Sequence, residues 1–119
     1  MKKINIAIIG LGNIGSYLFK YLKENQKILT EKNNCKPIIK YVSAKNKNKK
    51  RKIKIKNTQW LSNYLDATKI KDIDLIVELI GGAEGPAKKL VFQALKNKKH
   101  VVTANKALIA KYGDQLSKI

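Results

Sequence analysis

The feature that most constrains this chain is Gly10-Leu11-Gly12-Asn13-Ile14-Gly15, which follows directly on the apolar run Ile4 to Ile9. It reads as a buried strand turning through glycines into a helix, the arrangement that cradles a dinucleotide pyrophosphate on backbone N–H groups at a helix N-terminus. Gly10 permits the tight turn, Gly12 lets backbone approach the phosphates, and Gly15 lets the helix pack close to the strand. The spacing alone is a weak signal, and its bland reading is a structural glycine-rich turn. Context favours cofactor binding: Ile4, Ile6, Ala7, Ile8 and Ile9 supply the strand, while Tyr17, Leu18, Tyr21 and Leu22 recur at helical spacing.

The helix is expected to run to Glu31 or Lys32 and to end at Asn33-Asn34. Pro37 then opens a second apolar run, Ile38, Ile39, Tyr41, Val42 and Ala44, read as a strand parallel to the first. Strand, helix, strand is the mononucleotide-binding half of a Rossmann-type sheet, so the expected fold is α/β, a doubly wound parallel sheet.

The end of the second strand selects the cofactor. An acidic residue there would accept hydrogen bonds from the adenosine ribose and repel a 2′-phosphate. None is present, and the strand runs instead into Lys45-Asn46-Lys47-Asn48-Lys49-Lys50-Arg51-Lys52. Lys45, nearest the strand end, is read as a 2′-phosphate ligand, giving NADP with NAD as the weaker option. The rest of the run is read as a solvated loop.

Composition sets the frame for these motifs. At 119 residues the chain is expected to be one domain, residues 1–119, short for an enzyme that must also hold a substrate. No apolar run approaches the ~20 residues of a membrane span, and no signal peptide is recognised, because Met1-Lys2-Lys3 leads straight into the first strand. Cys35 is the only cysteine, which excludes a disulfide framework and a cysteine metal site and suggests a reducing, cytoplasmic setting. The formal charge of +18 raises nucleic-acid binding as a competing reading. That charge is almost all lysine, with Arg51 the only arginine, whereas nucleic-acid readers use arginine forks and stacked aromatics.

Residues 53–73 carry less information. Ile53 and Ile55 alternate like a short edge strand, and Asn57 or Thr58 is positioned to cap a short helix containing Trp60, Leu61, Tyr64 and Leu65, with Trp60 a packing anchor. Leu75 to Ile80 reads as the next strand, ending at Gly81-Gly82, where backbone can line a ligand. Glu78, charged within that strand, either bonds backbone near the site or sits at the sheet's rim. Pro86 suits the first turn of a helix burying Leu90, Val91, Ala94 and Leu95, and His100 to Thr103 forms a further strand. His100 lies at its entry end and is read as structural. At the exit end Thr103-Ala104-Asn105-Lys106 opens a last helix, placing Lys106 at the same edge as the glycine turn.

Three stretches together, Gly10 to Gly15, Val77-Glu78-Leu79-Ile80-Gly81-Gly82 and Lys99-His100-Val101-Val102-Thr103-Ala104-Asn105-Lys106-Ala107-Leu108-Ile109-Ala110, resemble the N-terminal nucleotide-binding domain of homoserine dehydrogenase. The resemblance covers essentially the whole chain. It implies an oxidoreductase that interconverts aspartate 4-semialdehyde and homoserine with a nicotinamide cofactor, on the route to threonine and methionine. It places the pyrophosphate against Leu11 to Ile14, the nicotinamide near Ile80 and Gly81, and the adenosine 2′-phosphate at Lys45. Lys106 matches a lysine at the cofactor and substrate junction, where it either assists hydride transfer by polarising the aldehyde or anchors the cofactor. An aspartate dehydrogenase-like enzyme is the alternative within oxidoreductases. Family members continue into a substrate domain that carries a second lysine, carboxylates and a dimer interface. The expectation is therefore a truncated product or excised fragment, with little turnover alone.

Overall fold

β1 (Lys2–Ile9) is the axis of the fold, because its second half meets water on neither face: Ile6, Ala7, Ile8 and Ile9 are all buried. Ile6 and Ile8 point to one side and pack with Leu11 and with Phe19 of α1 (Asn13–Asn33). Ala7 and Ile9 point to the other and pack with Leu90 and Ala94 of α2 (Pro86–Lys96). A strand buried on both faces is what a doubly wound parallel sheet requires. The computed structural model describes residues 2–47, 51 and 53–119; Met1, Asn48, Lys49, Lys50 and Lys52 lie outside the described residues.

Five parallel strands run in the order β3-β2-β1-β4-β5, with β2 at Cys35–Ser43, β3 at Gln59–Trp60, β4 at Leu75–Glu78 and β5 at His100–Thr103. The chain winds outward from β1 to β3, then crosses back to place β4 on the other side of β1. The switch point between β1 and β4 is where a sheet of this kind opens a crevice for a ligand. α3 (Lys106–Ser117) seats Leu108 and Leu116 against Val91 of α2.

β2 begins before Pro37, earlier than its apolar run suggests. The Pro37 carbonyl accepts from the Gln26 side chain at 2.7 Å, so this residue's hydrogen-bonding side faces α1 and its missing N–H costs no ladder bond. The β1–β2 register slips between Ile6 and Ala7, which leaves Lys40 bulged between Ile39 and Tyr41. The bulge allows Ile39 and Val42, three apart, to face the same core.

The segment after the basic run differs from expectation. Ile53 and Ile55 pack against the α1-side core without forming a strand, and Trp60 lies in β3, not in a helix. The helical turn comes later, as a 3-10 turn at Tyr64–Thr68 capped by Asn63, whose side chain accepts from the Leu65 N–H at 3.0 Å. Thr58 instead donates its hydroxyl to the Ile39 carbonyl at 3.0 Å, tying the segment to β2. On α1, Gly15 and Phe19 occupy the buried face with Leu18 and Leu22 beside them, while Tyr17 and Tyr21 stack on the outer face with ring centroids 6.1 Å apart. Phenol hydroxyls reach water there without needing a buried partner.

Two features of this fold have measurable consequences. A Cβ added at Gly15 would lie 2.0 Å from the Gly10 carbonyl oxygen, whereas one added at Gly12 would meet nothing within 4 Å. Gly15→Ala is therefore expected to lower stability by about 1–3 kcal/mol, and Gly12→Ala to change it by less than about 0.5 kcal/mol, in urea titrations. Glu84, in the loop before α2, accepts hydrogen bonds from Lys111, at 2.7 Å, and from the Tyr112 hydroxyl, both on α3. These contacts, Lys111 first, hold its carboxyl down to about 2 from an ordinary 4.5. A depressed carboxyl stabilises the fold fully above its unfolded value and ceases to do so as pH falls through the folded one. Between pH 4.5 and 2 the native protein is expected to lose stability more steeply than Glu84→Gln, as read by thermal melts across that range.

Candidate dinucleotide site

The glycine turn is built by two close approaches. Gly10 adopts φ +108°, and a Cβ there would lie 2.7 Å from the Leu79 backbone, so no other residue fits between the ends of β1 and β4. Its N–H donates to the Ser43 carbonyl at 2.8 Å, which fixes the turn to the end of β2. Gly12 then leads into α1. That helix has no side-chain cap and no acidic residue in its first turn, so its leading N–H groups present a partial positive charge with no acceptor from a capping side chain. The open space over Gly12 lies beside these donors, and an anionic group bridging two nucleosides fits both observations.

An open cavity of about 850 Å³ extends from this turn across the carboxyl ends of the central strands. Gly10, Leu11 and Gly12 form its middle, Leu79 and Ile80 one side, and Ser43, Ala44 and Lys45 the other. No Asp or Glu is among its lining residues, while Lys45, Lys47 and Arg51 gather at the β2 end. That end is suited to a phosphate and offers no carboxylate to a ribose 2′-hydroxyl.

The structure thus brings Gly10, Leu11, Gly12, Lys45 and Ile80 to one cavity. Asn13, Ile14 and Gly15 stand behind the turn as the first residues of α1, with the Ile14 side chain exposed. Gly81 lies just past Ile80, outside the cavity wall, and Lys106 is the first residue of α3, exposed and also outside it. The two are linked through Asn105, whose side-chain amide donates to the Gly82 carbonyl at 2.6 Å and whose carbonyl oxygen accepts the Leu108 N–H at 3.0 Å. Glu78 is fully buried and accepts the N–H groups of Ile80 and Gly81 at 2.8 and 3.0 Å, which decides between its two readings in favour of the backbone contact.

Arg51 and Trp60 are the contributors that sequence reasoning passed over. The guanidinium sits 5.3 Å from the Trp60 ring centroid and donates to the carbonyls of Lys45 at 2.7 Å and Asn46 at 3.1 Å. It thereby folds the described part of the basic run back onto the cavity wall. The available signal was chemical: a single arginine among lysines is the one cation with a planar fork for several carbonyls and a face for an aromatic ring. His100 lies at the opposite end of β5 and is exposed, and Cys35 is a free thiol at the start of β2. Among the described residues no helix is long and apolar enough to cross a membrane.

Comparison with known proteins agrees with this geometry. Residues 10–119 match the family model described as homoserine dehydrogenase, NAD binding domain. Homoserine dehydrogenase of Bacillus subtilis is 38% identical over 116 residues, 98% of this chain and 27% of the relative; that of Neisseria gonorrhoeae is 34% identical, covering 98% and 26%. The crystal structure of Staphylococcus aureus homoserine dehydrogenase at pH 7.5 superposes with a TM-score of 0.89 at 37% identity, over 98% of this chain and 30% of that one. A hyperthermophilic archaeal homoserine dehydrogenase in complex with NADPH shares the fold, with a TM-score of 0.71 at 20% identity over 98% of this chain and 40% of that one. This chain spans about a quarter of the length of the curated relatives it matches. Its parallel sheet, its glycine turn and the family match along nearly its full length lead to one assignment: the chain belongs to the homoserine dehydrogenase family, as the NAD-binding domain.

Proposed function

We propose that this chain is the cofactor-binding part of an enzyme that interconverts aspartate 4-semialdehyde and homoserine, and that it holds NADPH in the cavity at the β1–β4 switch point. The observation that carries this reading is the convergence of the uncapped α1 N-terminus, the open space at Gly12 and an acid-free, lysine-bearing β2 end on one crevice. The first-turn N–H groups of Asn13 and Ile14 receive the pyrophosphate beside Gly12, and Gly15 keeps the helix close enough for this contact. Lys45 receives the 2′-phosphate, which favours NADP over NAD. Ile80 and Gly81 border the nicotinamide.

When bound, the reduced nicotinamide supplies a hydride to the aldehyde carbon, and the carbonyl oxygen must gain a proton. To Lys106, exposed at the start of α3, we assign the charge that meets that oxygen or the cofactor. In the first role its ammonium polarises the aldehyde; in the second it fixes the cofactor's orientation. The chain matches about a quarter of its relatives' length, and we assign substrate binding to the remainder, so residues 1–119 by themselves are expected to bind cofactor and turn over little. The single free thiol suits a reducing compartment, the cytoplasm.

NADPH fluorescence titration tests the reading. Gly12→Val, whose Cβ would meet nothing within 4 Å in the fold, is expected to abolish binding, and Lys45→Ala to weaken NADPH roughly tenfold while leaving NADH nearly unchanged. Indifference to NADPH with steeply salt-dependent RNA or DNA binding would favour the basic-module reading instead. Brisk reduction of aspartate 4-semialdehyde by the 119-residue chain would overturn the expected inactivity.

A further inference from the structure

Glu78 is fully buried at the end of β4, opposite Thr103 in the β4–β5 ladder. One carboxylate oxygen accepts the Ile80 and Gly81 N–H groups, and the other accepts the Thr103 hydroxyl proton. The Thr103 oxygen in turn accepts the Asn105 N–H at 3.0 Å, and the Asn105 side-chain amide donates to the Gly82 carbonyl at 2.6 Å. These bonds close a ring: from Glu78 along the backbone to Gly82, across to Asn105, back to Thr103 and to Glu78 again. Asn105 also caps α3 through the Leu108 N–H, and the next residue is Lys106.

We propose that Glu78 is a positioning residue that locks the Ile80-Gly81-Gly82 loop and the start of α3 into one unit, so that the backbone beside the nicotinamide and Lys106 hold a fixed mutual geometry. This rests on the cofactor reading above. The carboxylate accepts from every group that meets it, one oxygen taking the two loop N–H groups and the other the Thr103 hydroxyl, a demand that no apolar side chain meets. A glutamine keeps the ring closed, its oxygen held toward the loop N–H groups and its NH2 toward the Thr103 oxygen, which has a lone pair to accept it, whereas a leucine of similar volume opens the ring. The burial is costly unless fully satisfied, and an apolar residue at this point of the strand would fill the space without it. What the carboxylate adds is a link between two segments with no ladder bond to each other beyond the strand ends.

The test compares the native 119-residue chain with Glu78→Leu and Thr103→Val, the latter nearly isosteric and lacking the hydroxyl. In the absence of ligand, both variants are expected to show roughly tenfold faster hydrogen exchange at the Leu108 amide, as each breaks the Glu78–Thr103 bond of the ring that holds its acceptor, and Thr103→Val also removes the acceptor of the Asn105 N–H. The Leu79 amide, which bonds Ile9 in the sheet, is expected to keep its native rate. NADPH affinity is expected to fall roughly tenfold, while that of 2′,5′-ADP, which carries only the adenosine half, stays unchanged. Equal losses for both ligands, or an unaltered Leu108 amide in both variants, would sink the proposal. If the native chain binds neither ligand, the cofactor reading falls and takes the functional half of this proposal with it; the exchange rates still decide whether Glu78 couples the two segments.

Discussion

The structure depends on one backbone contact, the approach of α1 to the end of β1 at Gly10 and Gly15. The 2.0 Å separation that a Cβ at Gly15 would have from the Gly10 oxygen means that only a residue without a side chain lets the helix start there. Lift α1 by the width of a methyl group, and Phe19 leaves the core beneath it while the first-turn N–H groups leave the crevice. Packing and anion binding are thus set by the same contact, which is why this turn tolerates so little.

What the sequence made legible follows from how completely each segment is buried. β1, β4 and β5 are short apolar runs between turn residues, and α2 carries a clear apolar face after Pro86, so their order could be read directly. The 53–68 segment could not. Its helical spacing at Trp60, Leu61, Tyr64 and Leu65 is real, yet Leu61 donates its N–H to Val42 at 2.8 Å and Ser43 donates its hydroxyl to the Leu61 carbonyl at 2.6 Å. An open edge of β2 captured the backbone as a strand, and no local pattern reports a vacant edge elsewhere in the chain. The tyrosines of α1 share the helical spacing of Leu18 and Leu22, yet they stack outside, because Phe19 takes the core face.

For the candidate site, the residues that reading proposed were those whose position a backbone rule dictates. The glycines must lie in the turn, Lys45 must follow β2, and Lys106 must follow β5. Arg51 and Trp60 meet only because a loop folds back, and the ring through Glu78, Thr103 and Asn105 joins residues up to 27 positions apart in the numbering. The cavity therefore has two ends of different character. At β2, surface cations meet charge; past β4, fixed hydrogen bonds meet shape.

That contrast follows from the composition. In a chain with 26 basic residues and only 8 acidic ones, a lysine carries almost no positional information, whereas each carboxylate does. Asp72, Asp74, Glu78 and Glu84 all fall around β4, and each reaches a different part of the molecule. Asp74 accepts the Asn5 N–H at the start of β1, and Asp72 pairs with Lys40 and Tyr41 on β2. Glu78 reaches Thr103 on β5, and Glu84 reaches Lys111 and Tyr112 on α3. Exposed pairs such as Lys40–Asp72 add little stability individually. Their joint effect is geometric, since a scarce anion amid many cations chooses the partner its backbone presents to it. The segment around β4 is consequently bound to β1 and β2 at its entry end, by Asp74 and Asp72, and to β5 and α3 at its exit end, by Glu78 and Glu84, and the crevice opens at the exit end.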